Sequence, residues 1–171
     1  MLSLANLKNI RNVCFVSHGG AGKTTLTEMV LHNAGEIEDV GTVENGKTTS
    51  DFIPEEKEHL YSINNSYFTF NWNNKEVNLI DTPGYADFKG EVVSALNMVE
   101  GAVLLLDGTA GIEVNTNYVW NKAVEKDLAR LVFINKVDDE GANFAEAYEE
   151  LKEKFDDKFV LLNIPHYEDG E

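Results

Sequence analysis

The stretch Ser17–Thr24, which has the sequence SHGGAGKT, is the most informative part of this chain. It follows the phosphate-binding pattern G-x-x-x-x-G-K-[S/T] at every defined position except the first, where serine replaces glycine. Glycines let the main chain bend closely around an anion, and the start of a following helix directs backbone N–H groups at it. The stretch therefore predicts a phosphate-binding loop. Its candidate binding residues are Ser17, His18, Gly19, Gly20, Ala21, Gly22, Lys23, Thr24 and Thr25.

The segments on either side supply the strand and the helix that such a loop connects. Asn12–Val16 is a short apolar run rich in β-branched and aromatic residues, as is typical of a buried strand. After the loop, apolar residues recur at helical spacing as far as Ala34, and Gly35 is placed to end the helix. A glycine-rich turn that binds nothing is the alternative that these residues alone leave open.

Composition and charge limit the class of protein. The chain has 171 residues, 43% of them hydrophobic and 26% charged, which is typical of one globular domain. No apolar run resembles a signal peptide or a membrane span, and the single Cys14 cannot form an internal disulfide. These features favour the cytoplasm. The net charge of −16 argues against direct binding of nucleic acid by this domain.

Apolar runs predict the strands of one sheet. Ser66–Trp72 and Glu76–Ile80 flank a pair of asparagines suited to a tight turn, so they are expected to form an antiparallel hairpin. Gly101–Asp107 and Arg130–Asn135 are apolar runs typical of parallel strands that are buried on both faces. Phe159–Asn163 is predicted to be a final strand.

Helical spacing predicts further helices between these strands. They cover Asp87–Val99 and Val114–Lys126, and a last one begins at Asn143 as N-cap, with Glu146 three residues later. The residues of that last helix expected to face the core are Phe144, Tyr148, Leu151 and Phe155. The alternation of strands and helices predicts an α/β fold with three layers, a P-loop NTPase fold whose sheet is mostly parallel with one antiparallel hairpin strand.

The segment Glu36–Ser62 interrupts this alternation. It is long, polar and acidic, and it shows no helical or strand period. Loops of this length in a compact domain are usually either functional or disordered. The segment alone does not distinguish these two possibilities.

A second motif, Asp81-Thr82-Pro83-Gly84, ends the predicted strand Glu76–Ile80. A carboxylate at the carboxyl end of a strand lies where open α/β sheets bind ligands. Asp81 is therefore a candidate for holding Mg²⁺ through water, and the Gly84 N–H is a candidate contact for a terminal phosphate. The alternative is an ordinary turn, for which this sequence is also well suited.

A third motif, Asn135-Lys136-Val137-Asp138, ends the strand Arg130–Asn135. The Watson–Crick edge of guanine offers two N–H donors that one carboxylate accepts together, and adenine lacks this pair. Asp138 is therefore expected to select guanine, because a site built on paired hydrogen bonds strongly rejects a partner that leaves them unpaired. Asn135 and Lys136 are expected to hold the base and brace the loop. An ATP-binding protein remains the alternative if Asp138 meets no base.

The three motifs in this order resemble the GTPase domain of the translational GTPases, most closely elongation factor G and its paralogues. The likeness extends beyond the motifs to KTTLTE at Lys23–Glu28, DTPGYADF at Asp81–Phe88, and NKVD followed by GANF at Asn135–Phe144. The tetracycline-resistance ribosomal protection proteins share much of this pattern. The resemblance implies hydrolysis of GTP to GDP and phosphate, with Mg²⁺ as cofactor, the ribosome as activating partner and Lys23 stabilising phosphate charge.

The resemblance also gives the segment Glu36–Ser62 a role as the family's first switch. That switch is expected to end in a hydroxyl that completes Mg²⁺ coordination together with Thr24 and Asp81, and Ser62 falls on this position. The Arg-Gly that the family has before this hydroxyl is missing, since Leu60-Tyr61 stands here with His59 nearby. Loss of the terminal phosphate is expected to release this segment.

Several departures from the family pattern bear on activity. Gly20 stands where the family usually has an aspartate linked to a monovalent cation, and Tyr85 stands where it has the histidine that positions the attacking water. Tyr85 is thus the candidate catalytic residue beside Lys23, and a packed aromatic residue in a nucleotide-binding switch without strong hydrolysis is the alternative. His18 is expected to shape the loop. The family's guanine-contacting Ser-Ala motif is absent, so 1–171 is expected to be a GTP-binding domain truncated before it.

Overall fold

The computed structural model describes residues 7–155 and 158–166. Its strands are β1 (Ile10–Val16), β2 (Ser66–Trp72), β3 (Lys75–Asp81), β4 (Gly101–Asp107) and β5 (Ala129–Asn135). Its helices are α1 (Lys23–Ala34), α2 (Pro54–His59), α3 (Lys89–Leu96), α4 (Val114–Glu125) and α5 (Phe144–Lys154), and a short 3₁₀ turn (Ala86–Phe88) precedes α3. None of the helices within the described ranges is both long and apolar enough to cross a membrane.

The five strands form one sheet in the order β2-β3-β1-β4-β5. β1 pairs in parallel with β3 and β4, and β4 pairs in parallel with β5. The β2–β3 pair is antiparallel. The predicted mixed sheet is therefore confirmed, and the carboxyl ends of its four parallel strands all meet at one edge.

Alternate residues of the central strands face opposite sides of the sheet. Phe15 and Leu105 pack with the apolar residues of α1, whereas Cys14 and Leu104 pack with those of α3 and α4. Leu106 points to the same side as Leu104 and packs with α5. Helices thus cover both faces, and the predicted three-layer α/β fold is confirmed.

Local sequence explains where the elements turn and begin. Asn73 and Asn74 have φ values of 47° and 60°, and asparagine tolerates this left-handed conformation, which the tight hairpin needs. The Asn143 side chain accepts a hydrogen bond of 3.1 Å from the Glu146 N–H, which confirms the predicted start of α5. On that helix Leu151 is buried, as expected, but Ala147 shares its buried face while Phe144 is only half-buried.

Two predictions about helical structure differ from the observed fold. The expected helix Asp87–Val99 is a 3₁₀ turn followed by α3, which ends at Leu96. The segment Glu36–Ser62 is not irregular throughout, because α2 lies within it. Pro54 at the first helical position and the Glu56 carboxylate, which accepts from the Ile53 N–H at 3.3 Å, start this short helix.

The predicted final strand Phe159–Asn163 is wrong. This segment lies beside β5 but joins no ladder of the sheet in the described part of the chain. The side chains of Val160 and Leu162 are 81% and 73% exposed. Its residue types suit a β-strand, but no neighbouring strand pairs with its backbone. A strand needs such backbone partners as well as a favourable composition.

Replacing Leu106 tests the packing between β4 and α5. Its side chain is fully buried, so Leu106→Ala is expected to lower the free energy of unfolding by about 2–5 kcal/mol in urea denaturation. Leu131→Ala is the matched control, because Leu131 lies on the neighbouring β5 and is 43% exposed. The free energy of unfolding should fall by well under half as much in the control. Equal losses in the two variants would contradict the assignment of Leu106 to the core.

Candidate nucleotide-binding site

The carboxyl ends of the parallel strands bring the three motifs to one edge of the sheet. β1 leads into the loop Ser17–Gly22, β3 ends at Asp81 and β5 ends at Asn135. β4 adds Asp107 between them, because it lies between β1 and β5. This is the place where open α/β sheets bind their ligands.

The loop Ser17–Gly22 curls by using two glycines. Gly20 and Gly22 have φ values of 81° and 93°, the left-handed region that favours glycine, and Gly22 lies directly before α1. Ser17 is fully buried, and its hydroxyl donates to the His18 carbonyl at 2.7 Å. The serine that replaces the expected glycine is therefore accommodated without disturbing the loop.

Lys23 lies inside this loop with only 6% of its surface exposed. Its Nζ donates to Ser17 Oγ at 2.8 Å and to the His18 carbonyl at 3.0 Å. Burial lowers the pKa of Lys23 to about 8, although the nearby Asp81 carboxylate works in the opposite direction. A cation buried at the centre of a loop of backbone donors is suited to bind an anion.

The His18 side chain points away from the cleft. It is 2% exposed, and its Nδ1 lies 3.2 Å from Thr116 Oγ1 and 4.0 Å from Glu113 Oε2. Burial lowers the pKa of His18, which favours the neutral ring, while Glu113 acts against this shift. The structure thus places the imidazole where it joins the loop to α4, as expected for a residue that shapes the loop.

Three hydroxyl and carboxyl side chains connect α1 to the segment Glu36–Ser62. Thr24 Oγ1 lies 3.2 Å from Ser62 Oγ, which in turn donates to Asp51 Oδ1 at 2.7 Å. The other oxygen of Asp51 accepts from Thr48 Oγ1 at 2.9 Å. The structure therefore brings the predicted pair Thr24 and Ser62 together and adds Asp51, which the sequence did not single out.

Asp81 is buried and has unsatisfied oxygens. It is 1% exposed, and neither carboxylate oxygen has a hydrogen-bond partner in the described part of the chain; the same is true of the buried Ser50 Oγ. Burial raises the pKa of Asp81 to about 6, against the attraction of Lys23 and the influence of the nearby Ser50 and Thr24 hydroxyls. Unpaired buried oxygens of this kind are the donor set that Mg²⁺ prefers, so these residues fit that ion.

Two buried glutamates organise the segment Glu36–Ser62. Glu28 of α1 accepts hydrogen bonds from the backbone N–H groups of Gly41 and Thr49. Glu56 accepts from four, which belong to Phe52, Ile53, Ile63 and Asn64. The segment then leaves α2 through Leu60, whose φ of 59° is unusual for a residue with a side chain. Carboxylates thus hold the segment Glu36–Ser62 from within.

Gly84 lies against the loop after β1. A Cβ atom at this position would come within 2.6 Å of the His18 carbonyl oxygen and 2.6 Å of Lys23 Nζ. A residue with a side chain would therefore push the two loops apart. This close approach places the Gly84 backbone beside the buried lysine.

The Tyr85 ring lies between the loop Ser17–Gly22 and the segment Glu36–Ser62. A Cβ at Gly19 would lie 3.1 Å from the ring, so only glycine leaves this space open. On its other side the ring packs against Tyr61, with centroids 4.7 Å apart, and Tyr61 also contacts His59 and Phe88. Tyr85 is nevertheless 48% exposed, at the mouth of the cleft.

The base-recognition motif is partly tied to the phosphate loop. Asn135 Nδ2 donates to the Ala21 carbonyl at 2.9 Å, and Lys136 Nζ lies 2.8 Å from Asp107 Oδ2. Burial acts to raise the pKa of Asp107, but hydrogen bonds from Lys136, Thr109 and Ala110 together hold it well below its usual range. Asp138, two residues after Lys136, is exposed.

One cleft collects most of the predicted residues. Those that line it are Gly19, Gly20, Gly22, Lys23, Thr24, Thr25, Ser62, Gly84, Tyr85 and Lys136. Asp81 lies buried beneath its floor, while Asn135 and Asp138 lie outside its walls. The cleft therefore contains most of the predicted phosphate-binding residues and two of the three predicted metal ligands, Thr24 and Ser62, with Lys136 of the base motif at its margin; Ser17, His18 and Ala21 are buried outside its lining.

Comparison with known proteins assigns this chain to a family. The family model described as "Elongation factor Tu GTP binding domain" matches residues 8–166. The chain belongs to this family. The resemblance to the translational GTPases that the motifs predicted is thereby confirmed, and the cleft belongs to a domain of the GTP-binding type.

Individual relatives agree with the family assignment. The chain is 44% identical over 158 residues to mitochondrial ribosome-releasing factor 2 of Yarrowia lipolytica, covering 92% of this chain and 20% of that protein. It is 45% identical over 157 residues to the protein of the same name from Drosophila grimshawi, covering 92% and 21%. The chain thus spans about a fifth of the length of these relatives.

A solved structure shows the same fold. A crystal structure of a protein from Thermus thermophilus superimposes with a TM-score of 0.90 at 36% sequence identity. The match covers 95% of this chain and 24% of that one. The α/β fold of the GTP-binding domain family is therefore shared with an experimentally determined structure.

Sequence reasoning missed several residues of the cleft for identifiable reasons. Asp107 ends β4 as Asp81 ends β3. The expectation that a carboxylate at the end of a parallel strand lies near the ligand was therefore sufficient to find it. Asp51 and Glu56 lie in a segment without periodicity, where no local pattern marks a buried carboxylate. Asn115 contacts only backbone atoms of distant loops, so nothing in its own neighbourhood indicates its role.

The raised pKa of Asp81 predicts a pH dependence of stability. The pKa is about 6 in the folded chain against 3.8 ordinarily, so its contribution to stability is present below pH 3.8 and is lost as pH rises through 6. In the metal-free chain, Asp81→Asn should raise the free energy of unfolding at pH 7.5 by about 2–3 kcal/mol. Urea titrations between pH 4 and pH 8 measure this.

The advantage of Asp81→Asn should vanish near pH 4, where the wild-type carboxyl is protonated. Asp87→Asn is the control, because Asp87 is an exposed carboxylate a few residues further along. An advantage that is equal at all pH values would contradict the assigned burial cost.

Proposed function

We propose that this chain binds GTP and GDP and hydrolyses GTP, as the GTPase domain of an elongation factor G-like protein activated by the ribosome. One observation carries the proposal most strongly. The buried Lys23 lines one cleft of a domain whose family is defined by GTP binding, and the buried, unpaired Asp81 lies close enough to attract it. A site for phosphate and a site for a cation are thereby adjacent.

The phosphate groups are assigned to the loop Ser17–Thr25. Backbone N–H groups of this loop and the start of α1 would receive the phosphate oxygens, and Lys23 would neutralise the outer phosphates. Lys23 now donates to Ser17 Oγ and the His18 carbonyl. Phosphate oxygens would replace these two acceptors, so the lysine needs little movement.

Mg²⁺ is assigned to Thr24, Ser62 and Asp81, with the unpaired Ser50 and the adjacent Asp51 in support. When bound, the ion would supply positive charge that stabilises the phosphate oxygens during hydrolysis. The hydrogen bond between Thr24 and Ser62 joins α1 to the first switch region. Loss of the ligand that both hydroxyls share would therefore favour release of that region.

Gly20 bears on a further cation. The family usually has an aspartate at this position, and Gly20 offers no carboxylate to hold a monovalent ion beside the phosphates. We therefore propose that hydrolysis in this protein does not depend on a cation bound at this position.

Gly84 and Tyr85 are assigned to the terminal phosphate and to the attacking water. The Gly84 N–H would contact the terminal phosphate, and the Tyr85 hydroxyl would orient the water as a neutral donor or acceptor. The ring contacts with Gly19 and Tyr61 place Tyr85 beside the phosphate loop. The same contacts also favour a second candidate function, a guanine-nucleotide switch with weak hydrolysis, because a packed ring has little freedom to reach a water.

The guanine base is assigned to Asn135, Lys136 and Asp138. Asn135 braces the phosphate loop through the Ala21 carbonyl, and Asp107 holds Lys136 in place. Asp138 is exposed, so its carboxylate is accessible to both N–H donors of the base. The preference for guanine therefore depends on Asp138.

The ribosome is proposed as the partner because the relatives are named ribosome-releasing factors. Their names favour a role in ribosome release over other roles of elongation factor G-like proteins. The acidic composition, with a net charge of −16, supports activation by the ribosome without direct nucleic-acid contacts from this domain. The relatives are named as mitochondrial, whereas we propose the cytoplasm, which localisation of the tagged protein would test.

Calorimetry with GDP and ADP tests the base assignment. In the presence of Mg²⁺ the chain should bind GDP at least about a hundredfold more tightly than ADP, because the paired acceptor is lost with adenine. Asp138→Ala should remove most of this preference. Asp139→Ala is the matched control, since Asp139 is the exposed neighbouring carboxylate and should keep it. Tighter binding of ADP than of GDP by the wild-type chain would overturn the assignment.

Single-turnover hydrolysis distinguishes the enzyme from the switch. With ribosomes added, Tyr85→Phe should hydrolyse GTP at least about tenfold more slowly, because the phenyl ring keeps its packing but cannot orient water. GDP affinity should be unchanged. Tyr67→Phe, which alters an exposed tyrosine on β2, is the control. An unchanged rate in Tyr85→Phe would show that the hydroxyl does not position the water.

A further inference from the structure

Asn115 joins two loops of the cleft from a third element. It lies in the first turn of α4, and its Nδ2 donates to the Gly84 carbonyl at 2.8 Å. The same nitrogen lies 3.5 Å from the Ser17 carbonyl, at the start of the phosphate loop. One amide group therefore spans the backbone that follows β1 and the backbone that follows β3.

The acceptor side of the same amide is unsatisfied. Asn115 Oδ1 is buried and has no hydrogen-bond partner in the described residues. A buried amide oxygen without a donor opposes folding, because its hydration is lost without replacement. A contribution to fold stability therefore explains the presence of Asn115 poorly. The hydrogen bond from its Nδ2 to the Gly84 carbonyl is the better explanation.

The first turn of α4 is attached to the phosphate loop by contacts of its own. Thr116 is fully buried, and its hydroxyl accepts from the Glu113 N–H at 3.3 Å while it contacts His18 Nδ1 at 3.2 Å. Asn115 is thus attached to a turn that is fixed to the phosphate loop independently of Gly84. A hydrogen bond from such a turn fixes Gly84 relative to that loop.

The Gly84 carbonyl belongs to the peptide group that begins Tyr85. Holding this carbonyl therefore sets the orientation of the Gly84–Tyr85 peptide as well as the position of Gly84. Gly84 is free of a side chain and close to Gly19 and Lys23. This close packing limits where Gly84 lies, and because glycine has no side chain to restrict its peptide group, the hydrogen bond from Asn115 adds a constraint on the orientation of that group.

We propose that Asn115 is a positioning residue for the terminal phosphate of GTP. Its amide holds the Gly84 backbone against the phosphate loop, so that the Gly84 N–H and the start of Tyr85 are in place before GTP binds. GDP lacks the terminal phosphate that Gly84 would contact. Asn115 therefore strengthens the binding of GTP but not of GDP. This inference rests on the proposed function of the cleft.

The test compares two ligands in the same variants. Calorimetry with Mg²⁺ measures the affinity for GDP and for the non-hydrolysable β,γ-imido analogue of GTP. Asn115→Leu keeps a similar volume, removes the donor and also removes the unsatisfied oxygen, so this variant should fold. It should bind the analogue about fivefold more weakly than the wild type, whereas GDP affinity should stay within about twofold. Asn115→Ala should behave alike, and Asn121→Ala, an exposed asparagine of the same helix, should change neither.

Each outcome separates the inference from the proposed function. If Asn115→Leu weakens GDP and the analogue equally, or weakens neither, Asn115 does not position Gly84 and the inference is overturned. If the wild-type chain binds neither ligand, the proposed function itself fails. A selective loss for the analogue supports both, because a general loss of stability would not alter the ratio of the two affinities.

Discussion

Two opposite charges buried beneath one cleft impose the main constraint on this domain. Lys23 and Asp81 attract each other, yet burial still lowers the pKa of the lysine and raises that of the aspartate. Attraction alone does not compensate for the water that both groups have lost. The site is therefore most favourable when an anion meets the lysine and a cation meets the carboxylate, which is what the proposed magnesium-bound phosphate ligand would supply.

Buried carboxylates also determine how the segment Glu36–Ser62 is held. Glu28 and Glu56 accept six backbone N–H groups between them, from residues on both sides of α2. Backbone donors satisfy these charges without a basic side chain. An acidic domain can therefore order a long polar loop while leaving its buried lysine available to the ligand.

The sequence predicted what local pattern determines. The phosphate loop, the strand ends at Asp81 and Asn135, and the N-cap Asn143 all followed from neighbouring residues, and the parallel sheet placed them at one edge. Contacts between distant segments were not predictable. Asn115 recognises backbone carbonyls, which any sequence supplies, and the segment Phe159–Asn163 had strand composition without a partner. The placement of the predicted residues around one cleft thus followed largely from local pattern, whereas the residues that align them did not.

Leu60 gives the segment Glu36–Ser62 an internal source of instability. Its φ of 59° costs a residue with a side chain about 1–3 kcal/mol, and it lies between α2 and Ser62. The contacts of Ser62 and Glu56 keep the segment ordered. The strain at Leu60 raises the free energy of this ordered state, so less free energy is needed to open the segment. If this segment is the switch that we propose, a ligand that bridges its two ends would hold it closed, and the strain at Leu60 would favour its opening once that ligand is lost.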